Sequence, residues 1–174
     1  MLRTVSMRPV SPLPQQHAVS LAPGRVEYMA DEFRFGSLID VRHRGDSVTY
    51  RYQRGSIYLR GNWIDEVEFG RDPDAVMSGE VANYALYQGV GRFMDSSGSP
   101  DRNQSFTFQR GEVHLSRGRF QSMTLLDRHN EWRDVPGGVI QDAYEKNMGQ
   151  FVQIQKLPFG KKGYVFEHGT IVNL

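Results

Sequence analysis

Three stretches of this 174-residue chain repeat one pattern of residues, and this repetition constrains the fold more than any other feature. They read PGRVEYMADEFRFG at 23–36, SGEVANYALYQGVG at 78–91 and PGGVIQDAYEKNMG at 136–149. The positions shared by all three are Gly24, Gly79 and Gly137; Val26, Val81 and Val139; Ala30, Ala85 and Ala143; and Gly36, Gly91 and Gly149. The closing glycines are spaced 55 and 58 residues apart. A nearly constant period indicates one supersecondary unit that has been copied, with the copies stacked or closed on one another.

Each of these stretches predicts a short helix. In the first copy Val26, Met29, Ala30 and Phe33 recur at helical spacing, which places all four on one face. A Pro-Gly or Ser-Gly pair opens each stretch, as is common where a chain turns into a helix. The glycine that closes each stretch is typical of a helix C-terminus.

A second repeated signature predicts strands after each helix. It reads YRYQRGSIYL at 50–59, FTFQRGEVHL at 106–115 and YVFEHGTIVN at 164–173. Aromatic and polar residues alternate before the glycine, which predicts a strand with one buried face and one face in water. The glycine suits the turn into the next strand. An apolar strand precedes each signature, and a fourth strand is expected at Trp63–Phe69 and Phe120–Leu125 in the first two copies.

These elements predict a mainly β (α+β) fold. Three pseudo-repeats of a short helix plus a β-meander would surround an approximate threefold axis, as a β-trefoil-like arrangement or a closed barrel. The predicted division is an N-terminal arm, 1–22, and a single domain, 23–174, made of repeats 23–77, 78–135 and 136–174. Because the third repeat has no fourth strand, we expect the arm to pack beside it and remove an exposed sheet edge. Prolines in the arm oppose this, and an open sheet or an arm donated to a neighbouring subunit are the alternatives.

Composition excludes several classes of function. The chain has no cysteine, so thiol catalysis, disulfides and cysteine-ligated metals are excluded. The net charge of +1 gives no general attraction to nucleic acid or acidic lipid, and no apolar run reaches the length of a membrane span. No secretory signal is visible. The first acidic residue is Glu27, after several arginines, which is a trait of a targeting leader as well as of an ordinary arm.

One set of candidate binding residues follows from the repeat. Arg54, Arg110 and His168 each precede the turn glycine, so equivalent units would present three equivalent cationic groups. Such groups can contact an anion, a phosphate or a glycan. The alternative is that polar residues simply populate exposed turns. His114 and His168 have no partner at metal-ligand spacing, so neither a metal site nor a cofactor is predicted.

A second set lies where two copies have diverged. The segment 127–134 reads DRHNEWRD, whereas its counterpart at 70–77 reads GRDPDAVM. Its candidate residues are Arg128, His129, Glu131 and Trp132. An enzyme could have its site here, but a polar loop explains the same residues. The chain has no Gly-x-Ser-x-Gly and no Walker motif, so no catalytic residue is assigned.

Segment 41–63 is both basic and aromatic, with five arginines and one acidic residue. This composition suits a face for single-stranded nucleic acid, where bases stack on rings and arginines follow phosphates. However, strand alternation places Tyr50 and Tyr52 on the face opposite Arg51. The pattern therefore favours a core face of rings and a solvated face of arginines, which argues against nucleic acid as the partner.

The sequence as a whole favours a non-catalytic interaction or assembly module, such as a subunit or a virion or effector component. Its expected partner is another protein or a second copy of the chain. A small-ligand or glycan binder that uses the equivalent turns is the first alternative. An enzyme with its site in segment 127–134 is the second.

Overall fold

The computed structural model describes residues 19–20 and 24–173, and within them the chain is mainly β, with three antiparallel sheets and three helices. The helices are α1 (Arg25–Glu32), α2 (Gly79–Tyr87) and α3 (Gly137–Glu145). The strands are β1 (Val19–Ser20), β2 (Leu38–Arg44), β3 (Ser47–Tyr52), β4 (Gly55–Arg60), β5 (Trp63–Phe69), β6 (Val76–Ser78), β7 (Phe93–Gly98), β8 (Asn103–Phe108), β9 (Gly111–Ser116), β10 (Arg119–Leu126), β11 (Trp132–Pro136), β12 (Phe151–Lys156), β13 (Lys162–Phe166) and β14 (Gly169–Asn173). A 3₁₀ turn, Pro158–Gly160, lies between β12 and β13.

The strands of each sheet follow one another as a meander. The first sheet has the order β1-β5-β4-β3-β2, with β6 also paired to β5. The second has the order β11-β10-β9-β8-β7, and the third has the order β12-β13-β14. The predicted helices and fourth strands are therefore confirmed, together with the mainly β class.

The three helices end in the same way. After α1 the N–H of Phe35 donates to the carbonyl of Ala30 (2.9 Å), and Gly36 then takes a φ of 84°. The same hydrogen bond follows α2, from Val90 to Ala85 (3.3 Å), and α3, from Met148 to Ala143 (2.8 Å). Gly91 and Gly149 both have a φ of 82°. This left-handed conformation, which favours glycine, turns the chain from each helix into the next strand.

Space at these closing positions also requires glycine. A Cβ on Gly36 would lie 2.6 Å from Oε1 of Gln53, and a Cβ on Gly149 would lie 2.5 Å from Oε1 of Glu167. These side-chain oxygens occupy the space because each accepts a backbone N–H from the residue after the glycine. Gln53 accepts the N–H of Ser37, and Glu167 accepts the N–H of Gln150.

The second and third helices pack on the sheet that precedes them. Helix α2 contacts β5, and α3 contacts β10. Both helices start where a strand ends, since β6 stops at Ser78 and β11 stops at Pro136. The hydroxyl of Ser78 accepts the N–H of Val81 (3.1 Å) and caps α2.

Aromatic rings join the first sheet to the second. Phe69, at the end of β5, is fully buried and lies at the centre of this group. Its ring centroid is 5.0–5.7 Å from those of Phe33, Phe35, Phe93, Phe106 and Phe108. The buried apolar side chains form one continuous cluster, which includes residues of all three helices and all three sheets.

The expected closed barrel is wrong. Ladder hydrogen bonds stay within each of the three sheets, so each sheet is open. The sheets stay separate because α2 and α3 each lie, in the chain, between one meander and the next. Each helix covers a face of the preceding sheet and does not extend its edge.

The expected position of the N-terminal arm is also corrected for its described part. Val19 and Ser20 pair with Ile64 and Trp63 of β5, in the first sheet and not the third. This edge is free because β6 covers only Glu66–Glu68 of β5. The rest of the arm, 1–18 and 21–22, lies outside the described residues.

Candidate functional site

The divergent segment 127–134 is organised around one buried carboxylate. Oδ1 of Asp127 accepts the N–H of His129 (2.7 Å) and of Glu131 (3.0 Å), and its Oδ2 accepts Nε of Arg133 (3.0 Å). These donors stabilise the ionised form, with the Glu131 N–H as the largest contribution. They outweigh the opposing effect of burial and lower the pKa of Asp127 to about 2.

The four candidate residues of this segment surround that turn without forming a site. Arg128, His129, Glu131 and Trp132 are all exposed. The Arg128 N–H donates to the carbonyl of Val152 in β12 (2.8 Å), and the Glu131 carboxylate pairs with Arg133 (3.2 Å). The hydrogen bond from Arg128 therefore links the second sheet to the third. The recorded contacts do not place any two of the four candidate side chains together as a catalytic pair.

Replacing Asp127 with asparagine should lower the melting temperature at pH 7. The pKa of Asp127 is lower in the folded state than in the unfolded chain, where it is about 4. Its stabilising contribution is thus complete above the unfolded value and disappears as the pH falls through about 2. The melting difference between wild type and Asp127→Asn, followed by circular dichroism, should shrink between about pH 4 and pH 2.

Asp134→Asn is the matched control, because Asp134 belongs to the same segment but is exposed and makes only a 3.5 Å contact with Thr124. Equal melting losses for the two variants, or a difference that does not change with pH, would contradict the role given to Asp127.

Each of the three cationic residues before the turn glycines donates a hydrogen bond to the chain segment that follows the preceding helix. Nε of Arg54 donates to the carbonyl of Arg34 (3.2 Å), and Nε of Arg110 donates to the carbonyl of Gly89 (3.0 Å). The N–H of His168 donates to the carbonyl of Met148 (2.8 Å). Both guanidinium groups thus bind carbonyls just beyond a helix C-terminus, where cations are favourable. All three of these residues remain exposed, and Arg110 also borders a cavity of about 120 Å³.

The basic segment 41–63 contributes a surface on the outer face of the first sheet. Arg42, Thr49 and Tyr58 are aligned side by side across β2, β3 and β4, because their Cα atoms are paired in the ladders. They belong to a groove of about 630 Å³, called here the basic groove. Its lining residues are Arg42, His43, Arg44, Ser47, Thr49, Arg51 and Tyr58.

The charge of the basic groove is only partly compensated. Oδ2 of Asp40 lies 3.2 Å from Nη1 of Arg51 and 3.7 Å from Nε of Arg42. Arg44 pairs with no carboxylate within the described part of the chain. One carboxylate therefore faces three guanidinium groups, and the groove is positive. The alternation of arginines at 42, 44 and 51 was visible in the sequence, but their juxtaposition depends on the strand register.

The second sheet carries a polar group on the corresponding face. Nδ1 of His114 lies 3.1 Å from Oγ of Ser105, and its Nε2 lies 2.9 Å from Oγ1 of Thr124 and 3.5 Å from Oε1 of Glu112. Serine, histidine and a carboxylate are the components of a hydrolytic triad, but here both ring nitrogens are occupied by neighbours within one sheet. The contacts are cross-strand pairs and we assign them no catalytic role.

Helix α1 and strand β2 expose several apolar side chains. Tyr28 of α1 and Leu38, Ile39 and Val41 of β2 have exposed fractions of 51%, 49%, 47% and 37%. These four residues are called here the terminal face. Position 38 corresponds to 93 and 151 by the repeat spacing.

The positions that correspond to 28 and 38 by this spacing are more covered, whereas Met94, which corresponds to Ile39, is 53% exposed. Phe93 packs its ring 5.0 Å from Phe69, and Phe151 is buried with its N–H bonded to Oε1 of Gln88 (2.8 Å). Asn83, the counterpart of Tyr28, is buried and accepts Nη1 of Arg25 (3.3 Å).

Two further findings limit the chemistry of the described part. Its residues contain no group of three or more His, Asp or Glu side chains placed to hold a metal ion. None of its helices is long and apolar enough to cross a membrane.

Comparison with known proteins does not assign a family. No protein-family model matches the chain, and neither the curated proteins nor the solved structures include a significant match.

Proposed function

We propose that this chain is a non-catalytic interaction and assembly module that self-associates through its terminal face. The observation that carries the proposal is the exposure of Tyr28 and Leu38, whose counterparts Asn83, Phe93 and Phe151 are more covered. Ile39 and Val41 extend the exposed apolar surface along β2, and surface of this kind is typical of a protein–protein interface.

The three helix-plus-meander units are, we propose further, copies of one unit that stack in line. Their shared helix endings support this, as does the register of the strands that follow. Leu38 pairs with Tyr52, Phe93 with Phe108 and Phe151 with Phe166, and each ladder shifts register immediately afterwards. A stack of copies has two ends, and the end with no preceding copy exposes the surface that normally receives one.

A second copy of the chain is the occupant we propose, because a twofold contact buries the same apolar side chains from both partners. Val41 pairs with Tyr50, whereas Arg42 and Arg44 pair with Thr49 and Ser47, so Val41 and these arginines lie on opposite faces of the sheet. The contact we propose is therefore apolar and does not use the arginines of the basic groove.

The proposal is tested by measuring mass in solution. Wild-type chain should behave as a dimer of the 19.9 kDa protomer in light scattering after size exclusion. Ile39→Glu should be a monomer, since it introduces a carboxylate into the terminal face. Met94→Glu is the control, because Met94 has the corresponding position in the second unit and is 53% exposed.

Added salt should change the dissociation constant of the dimer little, since salt screens charges and the proposed contact buries apolar side chains. A wild-type mass of 19.9 kDa at high protein concentration would overturn the proposal. Loss of the dimer in Met94→Glu but not in Ile39→Glu would place the interface elsewhere and would also overturn it.

The two other functions have weaker support. Arg54, Arg110 and His168 stay exposed, but two of the three side chains are engaged by their own helix ends. An enzyme site in 127–134 is disfavoured because Asp127 already binds three donors of the turn.

A further inference from the structure

We propose that the basic groove binds a compact small molecule that carries at least two phosphate groups. This site is separate from the apolar terminal face in chemistry, although both use β2. The inference does not depend on self-association.

The donors of the groove match phosphate oxygens. Arg42 and Arg44 are two residues apart on β2, so their side chains leave the same face about 7 Å apart along the strand. Arg51 adds a third guanidinium group from β3, and Ser47 and Thr49 of the same strand pair with Arg44 and Arg42. Guanidinium groups bind phosphate in bidentate geometry, and hydroxyl groups donate to the remaining oxygens.

The boundaries of the groove favour a compact ligand over a polymer. Its volume of about 630 Å³ is in the range of small-molecule sites. On the next strand Glu66 is paired with Tyr58 and Glu68 is paired with Ser56, so carboxylates follow the groove across the sheet. A long polyanion lying across the strands would be repelled by these carboxylates, whereas a ligand confined to β2–β4 would meet mainly cations.

The ring of Tyr58 lines the groove on β4, beside Thr49 of β3. It gives the ligand an apolar surface beside the charged groups, as many small-molecule sites do. A phosphorylated molecule with a ring or carbon skeleton can therefore use both parts of the groove.

Isothermal titration calorimetry with inorganic tripolyphosphate tests the proposal. We expect saturable binding with one site per chain in low salt. Arg42→Ala/Arg44→Ala should weaken it by at least about tenfold, because hydrogen bonds to charged groups are lost while Arg51 still pairs with Asp40. Thr49→Glu should abolish the binding heat by introducing a carboxylate between the arginines.

Arg102→Ala/Arg119→Ala is the matched control. It removes the same charge from exposed positions in the second unit, away from the groove. It should change the dissociation constant by less than about twofold, because distant exposed charges are screened. Melting curves of each variant establish that it is folded.

The same titration is repeated with Ile39→Glu, which keeps every donor of the groove. Retained binding in that variant separates this site from the dimer interface, so either proposal can fail alone. Absence of saturable heat with tripolyphosphate would overturn the inference, as would equal losses in the groove and control variants. Tighter binding of an oligothymidylate or of a sulfated oligosaccharide would overturn it in favour of a polymer.

Discussion

Replacing Phe69 with alanine should lower the free energy of unfolding by about 3–5 kcal/mol, the usual cost of removing a buried phenylalanine ring. The ring is fully buried and touches rings from α1's C-terminal turn, from β7 and from β8. Its removal leaves a cavity where the first sheet meets the second. Surrounding rings held by two different sheets cannot close that cavity without moving the sheets. Urea denaturation followed by circular dichroism measures the loss.

Phe159→Ala is the control for this change, since the Phe159 ring is 97% exposed and its removal creates no cavity. Its free energy of unfolding should stay within about 0.5 kcal/mol of the wild-type value, as for other exposed sites. Similar losses in the two variants would show that the ring cluster does not join the first two units.

Gly79→Ala should be the second most damaging substitution, with a loss of about 3 kcal/mol or failure to fold. A Cβ at this position would meet the backbone carbonyl oxygen of Ile64 at 2.0 Å. Backbone of a central strand cannot yield as a flexible side chain would, so α2 would have to move away from β5. The free energy of unfolding from urea denaturation again gives the magnitude.

The corresponding glycines of the other units provide a graded comparison. A Cβ on Gly137 would lie 3.0 Å from the carbonyl oxygen of Gln121, so Gly137→Ala should cost less than Gly79→Ala. Gly24 has no atom within 4 Å of such a Cβ but has a φ of 79°. Gly24→Ala should therefore cost about 1 kcal/mol of backbone strain. An equal cost at all three positions would contradict the close approach of α2 to β5.

The local elements could be predicted because their causes are local. Helix-forming spacing before a closing glycine, as from Val26 to Gly36, requires no knowledge of distant residues. The same is true of the hairpin at Gly55, where alternating rings precede the turn. These patterns were repeated, and each repetition supported the others.

The arrangement of the units could not be predicted in this way. Leu38, Phe93 and Phe151 are all apolar and all begin a strand, yet the first is half exposed and the third is buried. Their difference depends on whether a preceding helix and meander cover them. Closure of the ring was inferred from a missing strand, but Val19 and Ser20 found a free edge on β5 instead.

Side-chain roles were the least predictable part. Arg54 and Arg110 are cations in exposed turns, as expected, but a carbonyl beyond the preceding helix engages each guanidinium group. Asp127 was outside the candidate set, although it organises the divergent turn. Segment 41–63 was expected to present a solvated face of arginines, but the groove was not predicted, because its residues come together only through the register of three strands, which single-sequence patterns do not determine.

The direct passage from strand to helix at Ser78 and at Pro136 has a mechanical consequence. No flexible residues separate β6 from α2 or β11 from α3, since each helix starts at the next residue. A tilt of the first sheet about its own axis must therefore swing α2, and through it the meander that α2 leads into. Each of these sheets should therefore move together with the helix that follows it, as one rigid body.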